Sequence, residues 1–249
     1  MLSKDTILRR VPATIEPKQA LFIDGIRHSV DIMNLAYVRL RETLTHVATS
    51  KPNSIDLPSV ATHAFLDAWA MVDAIDRFRM LYQQMPGITF ETPTPGIETL
   101  KSVTQPFRNL RNVADHLSTR ADFVVSHGGA ALGTLTWITG FNLAPVAIWS
   151  CTLRPGTIRV KPEHSKQPIH TTLDWPTDQI CLSAGGYEAN LSSVRPHIER
   201  RVRHFESELA AAFEKLGVTD GPVASDVLMK QPYELAPGQF PEHTKGVKS

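Results

Sequence analysis

From Lys18 to Thr45 the chain has no proline, and Phe22, Ile26, Val30, Met33 and Val38 recur at spacings close to three and four residues. Side chains three and four positions apart share one face of an α-helix, so this period predicts a helix. The run is several times longer than an ordinary strand. A helix of that length with one apolar face has to bury it against other helices, which commits the chain to a helical bundle or a mixed fold. Residues 1–19, with Pro12 and Pro17, read as an N-terminal arm leading into this helix.

The loop from Ala48 to Pro58 holds Ser50, Pro52, Asn53 and Ser54, a composition that breaks helices. A second helix is expected from about Ser59, a fair N-cap, to Met85-Pro86-Gly87. Phe65, Trp69, Val72, Ile75, Phe78 and Leu81 form its buried stripe, and Asp67, Asp73, Asp76, Arg77 and Arg79 read as a solvated, ion-paired face. A third helix runs from Gly96 or Glu98 toward Ser126, with a kink or break expected near Gln105 because Pro106 has no N–H to donate; a break would start the helix carrying Arg111 and His116 at Pro106, which suits a first helical position. Gly128-Gly129 serves as its stop. The last helix starts at Ser193, repeats Ile198, Val202, Phe205, Leu209, Ala212 and Leu216, and ends at Gly217.

Between these helices the character changes. Leu132 to Ser192 is rich in β-branched and aromatic residues. Pro145–Leu153 and Thr157–Lys161 are expected as a hairpin around Arg154-Pro155-Gly156-Thr157, a type II turn. Ile169–Leu173 and Gln179–Ser183 read as a second strand pair, with Tyr187–Leu191 as an edge. The whole is therefore an α+β fold. It comprises an antiparallel bundle of three or four long helices (20–130 and 193–217), a small antiparallel β insertion (131–192) before the last helix, and an extended tail (218–249). That tail, with Pro222, Pro232, Pro237 and Pro241, is suited to lying over a protein partner.

The 249 residues carry a formal net charge of +1, so no bulk field draws the chain to nucleic acid or to a membrane, and any anion must be held by a local patch. No apolar run has the length of a bilayer span, and Met1–Pro17 lacks the apolar centre of a secretory signal; a cytoplasmic location is expected. The two cysteines, Cys151 and Cys181, are expected as buried free thiols rather than a disulfide.

The segment Leu110-Arg111-Asn112-Val113-Ala114-Asp115-His116-Leu117 carries the one motif with chemical content. Arg111 offers a planar fork of donors that fits phosphate oxygens. His116 titrates near neutrality and can act as general base or acid. Asn112 stands four residues before His116, placed to orient its ring. A base on the ribose 2′-hydroxyl and a cation on the phosphorus oxygens suffice for RNA cleavage without metal. An arginine followed by a histidine five to seven residues on also occurs at Arg41/His46, Arg120/His127 and Arg159/His164; requiring asparagine after the arginine leaves Arg111.

Arg-Asn-x-x-x-His preceded by two long helices resembles the HEPN domains (higher eukaryotes and prokaryotes nucleotide-binding). The resemblance covers residues 20–127 and the helix at 194–216. It implies a helical bundle, a homodimer that brings two copies of the motif together, and metal-independent endoribonuclease activity with no cofactor. Arg111 would bind phosphate, Asn112 would be the polar residue that follows it, and His116 would move the proton. The β insertion and Leu117-Ser118 after the histidine depart from the family's pattern.

Other candidates are secondary. Arg195, His197, Arg200, Arg201 and His204 on the last helix are expected to line an RNA backbone, the last four from a face opposite the apolar stripe; interleaved glutamates offer the alternative of a solvated face. Asp24/His28 and His63/Asp67 stand four apart on two helices and could hold a divalent ion if they faced each other. No His-Glu-x-x-His, Cys-x-x-Cys, Gly-x-Ser-x-Gly or phosphate-loop pattern occurs, and Gly128, Gly129 and Gly133 read as a helix stop. Three functions follow: a HEPN-like ribonuclease, a non-enzymatic helical scaffold or interaction protein, and a metal-dependent bundle hydrolase. The first requires Arg111 and His116 open in a cleft or at a two-fold interface. The second is satisfied if either is buried or held in an ion pair. The third requires His28 or His63 to converge with carboxylates.

Overall fold

A computed structural model describes residues 2–51, 53–87, 98–126, 129–141, 147–156, 174–217 and 226–231. Among these the fold is mixed α+β: five α-helices and a four-stranded antiparallel sheet. α1 spans Pro17–Thr49. Its N-cap is Glu16, whose carboxylate accepts the N–H groups of Lys18 and Gln19 at 3.0 and 2.9 Å. The buried stripe runs through Ile23, Ile26, Val30, Met33, Tyr37, Leu40 and Leu44. Ile23 and Tyr37 take the places expected for Phe22 and Val38; Val38 is exposed. α2, Leu57–Gln83, is capped by Asp56 rather than Ser59, because the helix begins one residue before Pro58. It packs against α1 on one side and α3 on the other.

α3 is Leu100–Asp115, capped by Thr99, whose hydroxyl accepts the N–H of Ser102. It continues through Pro106 without the break that was one expectation there. The forfeited hydrogen bond, worth about 3 kcal/mol with its steric cost, is offset by burial of Phe107, Leu110 and Val113 in the next two turns. The break falls instead at His116, and α4 follows at Ala121–Ser126. α5, Val194–Leu216, ends on Gly217 at φ 63°. Phe213 completes its stripe, whereas Leu216 is exposed.

The sheet has the order β2-β1-β3-β4, with β1 Thr134–Phe141, β2 Ala147–Leu153, β3 Thr177–Ala184 and β4 Tyr187–Asn190. β2 pairs with β1, a strand the sequence reading did not assign, with Trp137 opposite Cys151. The expected partner Thr157–Lys161 and the strand Ile169–Leu173 lie outside the described residues. β4 is the edge expected near Tyr187. β3 turns into β4 through Gly185-Gly186, both at positive φ (52° and 76°), as a two-residue hairpin requires. Leu135, Trp137, Ile180, Leu182 and Ala189 are buried in the same core as the helices. Hydroxyls of Thr45, Thr177 and Thr139 form a chain, 2.6 and 2.9 Å, that ties α1 to β3 and β1.

Ahead of β3, Arg41 of α1 grips the side chain and carbonyl of Asp174 and the carbonyl of Trp175. Trp175 lies against Gly140, where an added Cβ would come within 2.1 Å of the indole. Cys151 and Cys181 are free and partly buried. Burial pushes both thiols up, with Glu188 and Asp178 adding to Cys181, which reaches about 12. The N-terminal arm is packed rather than loose. A short 3-10 helix at Ile7–Arg9 sits on α1 and α5, and Leu8 and Val11 belong to the single core. Among the described residues, no helix is long and apolar enough to cross a membrane.

Candidate functional site

The residues of the Arg-Asn-x-x-x-His segment stand on the last turns of α3. At about 100° per residue, Arg111 and His116 diverge by roughly 140° around the helix axis. The structure uses the two sides differently. Arg111 faces α2, where Asp76 is completely buried. One oxygen of Asp76 accepts from Arg79 Nε (3.0 Å) and Nη2 (2.8 Å). The other accepts from Arg108 Nη1 and Arg111 Nη1, both at 3.0 Å. Arg111 Nη2 lies 3.4 Å from Asp73, which also accepts from Arg77 at 2.7 Å, and Arg111 Nε lies 3.8 Å from Asp115. Every nitrogen-bearing arm of Arg111 is thus opposite a carboxylate, and its side chain is 29% exposed.

Burial on its own would raise the Asp76 carboxyl. The hydrogen bonds from Arg79, Arg108 and Arg111 outweigh it and hold the group below the ordinary aspartate value of 3.8. The sequence pattern missed this centre, since Asp76 reads as part of a solvated face. A usable signal was present: Asp76 follows Val72 by four residues and Ile75 by one, at the margin of the apolar stripe.

His116 is exposed and is the C-cap of α3. Its carbonyl accepts the N–H groups of Thr119 (3.2 Å) and Arg120 (2.9 Å), closing the turn into α4. Asn112 is half-buried. Among the described residues no hydrogen bond or ion pair joins Arg111 to His116, or Asn112 to His116.

The basic residues of α5 are also divided. Arg201 follows Ile198 by three and precedes Phe205 by four, which puts it on the flank of the apolar stripe. It is 8% exposed and donates to the carbonyls of His197 (3.2 Å) and Glu98 (2.8 Å). His197 lies 3.7 Å from the Glu98 carboxylate. Arg195 stacks over the Tyr37 ring at 4.0 Å and pairs with Glu199 at 3.4 Å. Of the five, Arg200 and His204 are exposed, whereas Arg195, His197 and Arg201 are engaged within the fold and brace α5 against α1 and the start of α3.

The two expected metal pairs do not face each other. Arg39 Nε meets Asp67 at 3.3 Å, which fixes the α1–α2 register, and His28 lies eleven residues from Arg39, about 16 Å along the axis. His28 does converge with carboxylates, Asp24 and Asp226, all within 4.8 Å. Arg27 Nη2 stands among them, 2.7 Å from each carboxylate and 2.8 Å from His28 Nε2, so a guanidinium already supplies the positive charge.

No family model, no curated protein and no solved structure matches the chain. The site is read from its geometry alone.

Proposed function

We propose that this chain is a non-enzymatic helical interaction protein in which the Arg-Asn-x-x-x-His segment is structural. The observation that carries this reading is the capture of Arg111 by buried Asp76. The guanidinium best placed to bind phosphate is spent on joining α3 to α2, and the described residues show no hydrogen bond or ion pair between it and the exposed His116. Exposed Ile32, Leu35 and Val38, three residues apart along α1, add support, since clustered apolar side chains on a surface mark association sites.

A specific observation favours a second reading, a HEPN-like ribonuclease that acts as a homodimer on RNA through 2′-hydroxyl attack. Three guanidiniums share the two oxygens of Asp76, so the cluster keeps a cationic surplus, and Arg108 is 39% exposed. In that reading His116 of a second copy completes the pocket beside Arg108 and Arg111. Incubating the purified chain with single-stranded RNA in EDTA, with His116→Ala alongside, separates the two. The interaction reading expects intact RNA with both proteins. Cleavage by the wild type that disappears in His116→Ala would overturn it in favour of the ribonuclease.

A further inference from the structure

Beneath the N-terminal arm lies a cavity of about 500 Å³, bounded by Leu8, Val11, Ala20 and Leu21 and floored by Arg27. Arg27 is 6% exposed. A cation buried to that degree requires anionic partners, because desolvation costs several kcal/mol when it is left alone. Asp24, one turn away, accepts from Nε (3.1 Å) and Nη2 (2.7 Å). The opposite edge of the guanidinium is engaged by Asp226, which reaches it from beyond α5. Arg27 Nη2 donates to one oxygen at 2.7 Å and Nη1 to the other at 3.3 Å. This two-pronged geometry is how arginine recognises a carboxylate. His28 Nε2 is 3.9 Å from the same group.

Asp226 brings only its carboxylate to the cavity. The apolar residues that follow it, Val227, Leu228 and Met229, are about 80% exposed, while Leu21 at the cavity rim is 67% exposed. Among the described residues, the tail thus satisfies the charged end of the pocket and covers none of its apolar walls. Apolar walls with a few fixed polar groups, here Arg9, Asp24 and Arg27, are the ordinary form of a small-molecule site.

We propose that this cavity is a binding site for a small carboxylic acid with an apolar body, and that Asp226 occupies its carboxylate position in cis as a tethered competitor. The ligand carboxylate takes the outer edge of Arg27, its chain lies along Leu8, Val11 and Leu21, and the tail is released. This inference is independent of what the Arg-Asn-x-x-x-His segment does. A tethered group competes at an effective concentration of about millimolar; with the tail holding the site about nine-tenths of the time, its removal raises the affinity of an external carboxylate by about tenfold.

Isothermal titration with octanoate, with 1-octanol as the uncharged control, tests this on the full chain. Asp226 is exposed and Asp24 still pairs with Arg27 in its absence, so Asp226→Ala keeps the fold, and exposed Leu21→Glu puts a charge on the apolar wall. The expected result is weak one-to-one octanoate binding by the wild type, binding about tenfold tighter by Asp226→Ala, loss in Leu21→Glu, and no octanol binding. Equal or weaker binding by Asp226→Ala, binding retained in Leu21→Glu, octanol binding as tight as octanoate, or no octanoate binding by any form would each overturn it.

Discussion

Asp67 and Asp76 are buried carboxylates on the same helix, and they are solvated by the protein in opposite ways. Nine residues separate them, two and a half turns, so they leave opposite sides of α2. Asp67 points at α1 and meets a single guanidinium, Arg39, at 3.3 Å. Asp76 points at α3 and meets three. Burial raises the Asp67 carboxyl and Arg39 and His63 oppose it only in part, whereas at Asp76 the guanidiniums prevail over burial and the group is lowered. The same residue type at the same depth therefore works against folding on one interface and for it on the other. The number of donors decides which, because each hydrogen bond recovers part of a fixed desolvation cost.

Asp76→Asn attacks the strong side directly. It leaves Arg79, Arg108 and Arg111 gathered around a neutral amide, and a loss of about 3–5 kcal/mol is expected in urea unfolding at pH 7. The wild-type advantage is fully present above the ordinary aspartate value of 3.8 and drains away as pH falls through the lower native value. A variant as stable as wild type at pH 7 would show that the cluster contributes nothing net.

Arg111→Ala removes one of three donors and leaves Arg79 and Arg108 in place. Its partial exposure limits the cost to about 1 kcal/mol. If the same melt showed no change, Arg111 would be held in reserve for a ligand rather than spent on the α2–α3 contact.

Asp67→Asn probes the weak side and carries the smallest change. Stability at pH 7 should stay level or rise by up to about 1 kcal/mol, since a poorly compensated charge is removed. Wild-type stability should fall as pH climbs from 3.8 through the raised native value, and this loss should be missing from the variant. A cost above about 2 kcal/mol would place Asp67 with Asp76 and end the contrast.

Much of the architecture was legible in the chain. α1, α2 and α5 follow from three- and four-residue apolar spacing, and β4 from a β-rich run at an edge. β1 escaped although Thr134–Phe141 alternates threonine with apolar residues, an ordinary strand signal, because Gly140 interrupts the run; an added Cβ there would meet the indole of Trp175 from a distant part of the sequence. The break in α3 was expected at Pro106 and occurs at His116, since the core contacts of Phe107 and Leu110 hold the helix through the proline. The site was less legible. Arg111 could be singled out by its neighbours in sequence, but its ionic surroundings could not.

Local spacing determined which segments are helices and which face of each is apolar, because those are properties of successive side chains on one repeating backbone. It left open what stands across each margin of α2. Whether an aspartate there meets one arginine, three or water depends on which helix packs alongside and in what register. That was decided by the packing of α1 and α3, and it is why Arg111 binds a carboxylate of its own chain.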